Sequence, residues 1–223
     1  YILLPLTFPI IINNFLLSLK KYTKKKNKPK KICIGNIYIG GTAKTPLTIK
    51  IYQILNKLNV KTGTIKKFYK SHYDEQKMLF EKTILYCKKS RIQALNKAIQ
   101  DKMDVVVFDD GLQDRSINYD LKIVCFNSIK SIGNGFLIPA GPLREKINSV
   151  SKYDVAFING DEKDNSKLKS LLKKYNAHIK IFVSNYKTIN INEFDIDEEY
   201  VVFSGIGNPE SFKQTLISNN IKI

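Results

Sequence analysis

A chain of 223 residues is long enough for one α/β domain with or without a small second lobe, and a hydrophobic share of 43% excludes global disorder. Net charge is +17, yet eight lysines and no acid fall between Lys20 and Lys31, so about half of the excess sits in one stretch; with no zinc-finger spacing or RNP-type aromatic motif, a nucleic-acid partner is not expected. Cys33, Cys87 and Cys125 form no CxxC pair and lie in apolar runs, which argues against a disulfide framework or zinc site and for a reducing compartment.

Residues 1–19 (YILLPLTFPIIINNFLLSL) are uncharged but broken by Pro5, Pro9, Asn13 and Asn14. That is too interrupted for a spanning helix, and the charges follow the apolar segment where a signal peptide would have them first. An apolar interfacial helix backed by lysines suits an anionic leaflet; a core helix followed by a solvated charged face is the other reading. From Lys31 onward, strand-like and helix-like blocks alternate. KICIGN reads as a strand, 44–58 as a helix, 61–66 as a weak strand, 75–81 as a helix, 83–87 as a short apolar run and 91–101 as a helix. The run VVVF at 105–108 is a strand buried on both faces, and 121–127 and 155–159 look alike. A Gly- and Pro-rich loop fills 128–150, a length usually reserved for function. Helix 163–174, strands 178–184 and 200–204 and a helix from Pro209 complete the pattern. The expected fold is α/β, a mostly parallel sheet with helices on both faces. The expected division is an interfacial segment at 1–30, a core at 31–150 and a smaller C-terminal lobe at 151–223.

Gly40-Gly41-Thr42-Ala43-Lys44-Thr45 follows a strand and opens a helix, the context in which backbone N–H groups and the helix dipole hold phosphates. There Lys44 would reach the β- and γ-phosphates of ATP and the Thr45 hydroxyl would ligate Mg²⁺. Tyr38 and Ala43 stand where the general pattern has its two glycines, so a tight turn with a solvated lysine remains the alternative for this segment alone. Asp109-Asp110 ends the VVVF strand, at the crevice where such sheets bind ligands; Asp109 is a candidate Mg²⁺ ligand, although two acids before Gly111 also suit a simple turn.

Three segments together, GNIYIGGTAKTP at 35–46, DDGLQDR at 109–115 and GNGFLIPAGPLRE at 133–145, resemble the P-loop family of tetraacyldisaccharide (lipid A) 4′-kinases, and GIGNPESF at 205–212 resembles a fourth family segment. The resemblance covers the chain in order. It implies a P-loop NTPase-like fold and transfer of the ATP γ-phosphate to the 4′-hydroxyl of a tetraacylated glucosamine disaccharide 1-phosphate. The setting it implies is the cytoplasmic face of a bacterial inner membrane; an anionic leaflet is the expected partner and a monomer the expected state. The family's Ser-Arg-Gly-Tyr segment falls on Lys66-Lys67-Phe68-Tyr69 and its Gly-Asp-Glu-Pro segment on Tyr73-Asp74-Glu75-Gln76. This implies Asp74 as general base, with Lys44 and Asp110 also catalytic. Tyr69, Glu75, Arg91, Gln113, Arg144 and Glu145 then become candidates for the substrate side, Arg144 as a phosphate clamp.

Departures from the family pattern set further expectations. Ala43 replaces a glycine, at a cost of roughly 1 kcal/mol if the position needs φ > 0. Asp114 replaces a His, bringing an acid near bound phosphates. Lys67 replaces an Arg, and Asn127 replaces an Asp. The family also has a later segment that supplies a His partner for the base; His72 and His178 do not match it, and the resemblance puts it past Ile223. Water-attacked hydrolysis of the γ-phosphate, and a basic membrane- or nucleic-acid-binding module with a vestigial nucleotide site, are the competing function classes.

Overall fold

The computed structural model describes residues 7, 9–10, 29–160, 165–184, 188–205 and 209–223. The interfacial helix expected within 1–30 therefore lies almost wholly outside the described residues. Among those described, no helix is long and apolar enough to cross a membrane.

Seven strands form one all-parallel sheet: β1 (Lys30–Gly35), β2 (Thr62–Lys67), β3 (Leu85–Lys88), β4 (Val105–Asp109), β5 (Leu121–Asn127), β6 (Val155–Asn159) and β7 (Lys180–Ser184), in the order β3-β2-β4-β1-β5-β6-β7. The sheet runs without interruption past residue 150, since β6 pairs with β5 and β7 with β6. Among the described residues, α1 (Lys44–Lys57), α2 (Tyr73–Lys82), α3 (Arg91–Gln100) and α4 (Ser166–Tyr175) connect its strands and pack on it, and α5 (Pro209–Ser218) follows β7 in the chain.

Period-two alternation divides the core between the two sheet faces. Cys33, Val106, Phe108, Val124 and Phe126 point to one face and pack with Ala94 and Ala98 of α3 and Leu168 and Leu172 of α4. Ile34, Val107, Ile123 and Cys125 point to the other, against Leu47, Ile51 and Leu55 of α1. Helices thus cover both faces. Each fully buried aliphatic or aromatic side chain contributes about 1.5–3 kcal/mol, and the continuous apolar runs of β4 and β5 concentrate that burial in the centre. Cys33 and Cys125 belong to these layers as small hydrophobes, and burial pushes both thiols up, away from reactivity.

Two departures from the sequence pattern have physical causes. The stretch expected as a weak strand is β2, an interior strand held between β3 and β4; its Thr62, Gly63 and Thr64 are buried although they carry no apolar signature. The strand expected at 200–204 is absent. That segment is irregular, with Val201 98% and Phe203 92% exposed, and the nearest pairing is a single bridge between Glu199 and Lys222. Apolar alternation supplies a strand's face but not the neighbouring edge it must bond to.

The parallel topology brings the carboxyl ends of β1, β2 and β4 together. Register places Ile34 and Lys66 on either side of Asp109, so the loop after β1, the end of β2 and the acidic pair after β4 converge.

Candidate nucleotide and phosphoryl-transfer site

The loop leaving β1 is braced before it reaches α1. Asn36, fully buried, donates its side-chain amide to the Gly40 carbonyl at 3.3 Å and to the Thr42 hydroxyl at 3.2 Å. Tyr38 does not line the cradle. Its ring is 2% exposed and its hydroxyl accepts the Asn127 N–H at 2.5 Å, so this position serves the core and the phosphate loop proper begins at Gly40. Gly40 takes φ 133 and Ala43 φ 57 with ψ 29. Ala43 therefore occupies the left-handed region that the sequence comparison with a glycine anticipated. No side chain caps the first turn of α1, which leaves its N–H groups for an anion.

Lys44, the first residue of α1, places its ammonium 3.9 Å from Asp110. Thr45 follows one position on, and its hydroxyl donates to the Asp109 carboxylate at 3.1 Å; Thr48, one turn later, reaches the other oxygen at 3.4 Å. Asp109 is completely buried, and its main partner is Lys66, whose ammonium lies 2.6 Å from Oδ2 and also 2.6 Å from Glu75. Burial alone would depress the Lys66 pKa; the Asp109 and Glu75 carboxylates outweigh it and hold the pKa above its ordinary value.

Asp110 adopts φ 54, which turns its side chain toward Lys44 and toward Arg144, whose Nη1 is 3.4 Å away. Burial would raise its pKa, but Lys44 and Arg144 more than offset that and keep the carboxyl below the usual range. Arg91, buried at the start of α3, donates to the Asp110 carbonyl and to the Asp114 carboxylate, the latter at 3.2 Å. The acid that replaces the family's His is thus neutralised by this guanidinium.

Arg144 is positioned through the backbone. Its N–H donates to the Ile37 carbonyl at 2.7 Å, the Ile39 N–H donates to Pro142 at 2.8 Å, and Tyr38 and Leu143 form an antiparallel bridge. The segment GPLRE is thereby laid along the residues that lead into the phosphate loop. Glu145 turns inward, 5% exposed, accepting from Gln113 at 3.0 Å and from the Tyr153 hydroxyl at 3.1 Å; Gln113 also donates to the Asn36 carbonyl at 2.8 Å. Gln113 and Glu145 form a brace between loops, behind the open face of the site. Tyr69 is exposed in the loop after β2, with the Lys67 ammonium 5.3 Å from its ring centre. Asp74 is exposed in the first turn of α2, beside Glu75, which ties that turn to Lys66.

The donor set suits a hard divalent cation. The Thr45 hydroxyl and the Asp109 carboxylate meet at one point, with an ammonium already lying on the same carboxylate oxygen. Among the described residues no group of three or more His, Cys, Asp or Glu side chains is arranged to hold a metal by itself. Such a pair fits Mg²⁺, which typically takes one or two protein oxygens and completes its shell with water and phosphate. Lys66, Asn36 and Thr48 were not singled out by sequence. Asn36 carried a signal in its place directly after β1; Lys66 lay in a stretch matched to a family segment, but at a position where that segment has Ser, so nothing marked it as a site residue.

A family model described as tetraacyldisaccharide-1-P 4′-kinase matches residues 3–223. The chain is 48% identical over 226 residues to a tetraacyldisaccharide 4′-kinase of Pelagibacter ubique, covering 98% of this chain and 72% of that protein. It is 33% identical over 211 residues to the Rickettsia canadensis protein of the same name, covering 87% of this chain and 63% of the relative, so it spans less than two thirds of that relative's length. Among solved structures, LpxK from Aquifex aeolicus in complex with ATP superposes with a TM-score of 0.71 at 19% identity, covering 99% of this chain and 78% of that one. The signal recognition particle 54 kDa protein from Aeropyrum pernix in complex with GDP superposes at 0.51 and 13% identity, covering 80% of this chain and 47% of that one. At these identities the likeness is one of fold, the P-loop NTPase type.

Proposed function

The chain belongs to the tetraacyldisaccharide-1-P 4′-kinase family, and from that premise we propose that it transfers the γ-phosphoryl group of ATP to the 4′-hydroxyl of a tetraacylated glucosamine disaccharide 1-phosphate. One observation favours this over hydrolysis by water: the GPLRE segment is hydrogen-bonded along the entry to the phosphate loop, which sets Arg144 against Asp110 at the edge of the site. A second cationic clamp there suits an acceptor that carries its own phosphate.

In this reading the open N–H groups at the start of α1 and the Lys44 ammonium bind the β- and γ-phosphates. Thr45 and Asp109 would hold Mg²⁺, which when bound would neutralise charge on the phosphate oxygens. Asp74 accepts the proton of the 4′-hydroxyl while that oxygen bonds to the γ-phosphorus and the bond to the β,γ-bridging oxygen breaks, releasing ADP. Lys44 and Arg144 offset the charge that gathers on the bridging oxygen and on the transferred group. Gln113 and Glu145 keep the two loops in register. The apolar run and lysines of residues 1–30 bring the enzyme to an anionic leaflet, where the lipid acceptor resides.

The test is transfer of label from γ-labelled ATP to detergent-dispersed tetraacyldisaccharide 1-phosphate. Activity in the wild type and its loss in Lys44→Ala, with the fold intact by circular dichroism, are expected. Wild-type activity in Lys44→Ala, or ATP hydrolysis indifferent to the disaccharide, overturns the reading.

A further inference from the structure

Lys66 stands at the end of β2, in register with Asp109 on β4, and its side chain is 3% exposed. Its ammonium lies 2.6 Å from Asp109 Oδ2, the same oxygen that accepts the Thr45 hydroxyl at 3.1 Å. The carboxylate oxygen best placed to meet a divalent cation therefore already carries a positive charge from the protein. We propose that Lys66 holds the place of the divalent cation on Asp109 until nucleotide arrives, so that the metal enters this site as the metal–nucleotide complex and not as the bare ion. The inference rests on the nucleotide-binding reading above and adds an order of binding to it.

Three further features support it. Asp110, the neighbouring acid, is occupied by Lys44 at 3.9 Å and by Arg144 at 3.4 Å, so it offers no unengaged carboxylate. Around the two aspartates Lys44, Lys66, Arg91 and Arg144 balance Asp109, Asp110, Glu75 and Asp114, so every carboxylate here already has a cationic partner and a bare divalent ion must displace one to bind. Lys66 also has a second carboxylate within reach, because Glu75 on α2 is 2.6 Å from the same ammonium. When the metal complex takes Asp109, the buried lysine keeps a partner, and its cost as an isolated charge is avoided. Because Glu75 adjoins Asp74, that shift of partner reports nucleotide loading to the turn that bears the candidate base. Lys66 is in this sense a positioning residue.

Mn²⁺ titration followed by electron paramagnetic resonance, with and without a non-hydrolysable ATP analogue, tests the order directly. Without nucleotide, wild type and Lys66→Arg are expected to bind Mn²⁺ weakly. Lys66→Met should bind it about tenfold tighter or more, a small part of what Coulomb's law permits for a unit charge at this separation. Lys66→Gln, neutral but polar, should behave as Lys66→Met does and guards against a fold lost through the apolar replacement. Glu75→Gln leaves the ammonium on Asp109 and should not tighten Mn²⁺ binding. With the analogue present, the wild type and the neutral variants should converge to within about threefold, since phosphate oxygens then dominate the metal's shell. Mn²⁺ affinity unchanged in both neutral variants, with wild type still binding the metal–nucleotide complex, overturns the role of Lys66 and leaves the kinase reading standing. A wild type that takes up no Mn²⁺ even with the analogue overturns both.

Discussion

The Thr45 hydroxyl donates to the Asp109 carboxylate across 3.1 Å, joining the first turn of α1 to the carboxyl end of β4 at a single oxygen. Replacing that carboxylate with its amide keeps the shape and removes the charge. In Asp109→Asn, Mg²⁺-dependent ATP affinity and turnover should both fall, by about tenfold or more each. Stability should fall by roughly 1–3 kcal/mol, less than for an isolated buried pair, because Glu75 still meets the Lys66 ammonium. Equilibrium nucleotide binding at several Mg²⁺ concentrations, with urea unfolding beside it, measures both. A variant with unchanged Mg²⁺ dependence would remove Asp109 from the cation site.

Ala43 holds φ 57, a conformation that costs an L-residue about 1–2 kcal/mol and glycine almost nothing. Glycine returns part of that through its looser unfolded chain, about 0.5–1 kcal/mol. Ala43→Gly should therefore raise Tm slightly, by about 1–3 °C in a chain of this size, and should not weaken ATP binding. Calorimetry with and without MgATP decides it; a lower Tm would mean that the methyl group packs usefully.

The phosphate loop was legible because its parts are neighbours in the chain: strand, glycines, lysine, threonine and helix follow one another, and local sequence carries that order. Asp109 was legible as the end of an apolar run. Lys66 was not, because its meaning comes from the β2–β4 register, which sets it beside an acid 43 positions away. Arg144 was marked by resemblance, but its placement depends on a backbone pairing with Ile37 that no periodicity announces. Segment 200–204 failed for the complementary reason, since its alternation describes a strand face and its described surroundings offer no edge.

Acid should unfold the protein through its depressed carboxyls. Asp114 is pulled up by burial and, more strongly, down by Ser116 and Arg91; Asp110 is likewise pulled up by burial and down by Lys44 and Arg144. A carboxyl whose folded pKa lies below its ordinary value of 3.8 contributes stability that is present above that value and lost as pH falls through the folded one. The Asp110 and Asp114 contributions should thus be constant from about pH 7 to 5 and decline below about pH 4. Arg91→Met should flatten that decline, because Asp114 loses its guanidinium partner, while lowering stability at neutral pH by roughly 1–3 kcal/mol. Urea titrations at stepped pH read both effects, and an acid limb identical in Arg91→Met would mean the ion pair contributes nothing.

Deleting residues 1–28 stops short of β1, which begins at Lys30, and removes the apolar run with six lysines. Each lysine near an anionic surface adds about 1 kcal/mol, so binding to phosphatidylserine-containing vesicles should drop by about a hundredfold or more, and wild-type binding should weaken with salt. Activity on detergent-dispersed acceptor should fall less than activity on vesicle-borne acceptor. Co-sedimentation unaffected by the deletion would place membrane contact elsewhere.

Asp74 and Asp109 should separate cleanly when each is changed to Asn. Asp74 is exposed in the first turn of α2, where an acid favours the helix whatever else it does. If that is its whole role, Asp74→Asn costs a few tenths of a kcal/mol at most, because Asn serves a helix start nearly as well as Asp. As the group that takes the 4′-hydroxyl proton, it cannot be replaced by an amide, and kcat should fall by about 10²–10⁴. The KM for ATP should change little, since Lys44 and the α1 N–H groups bind the nucleotide and Asp74 does not touch it in this scheme. Helix placement is guarded separately, because the contact of Glu75 with Lys66, 2.6 Å, does not involve Asp74. Turnover within about threefold of wild type would take Asp74 out of the chemistry. Asp110 could hardly replace it as base while Lys44 and Arg144 hold its carboxylate in their ion pairs.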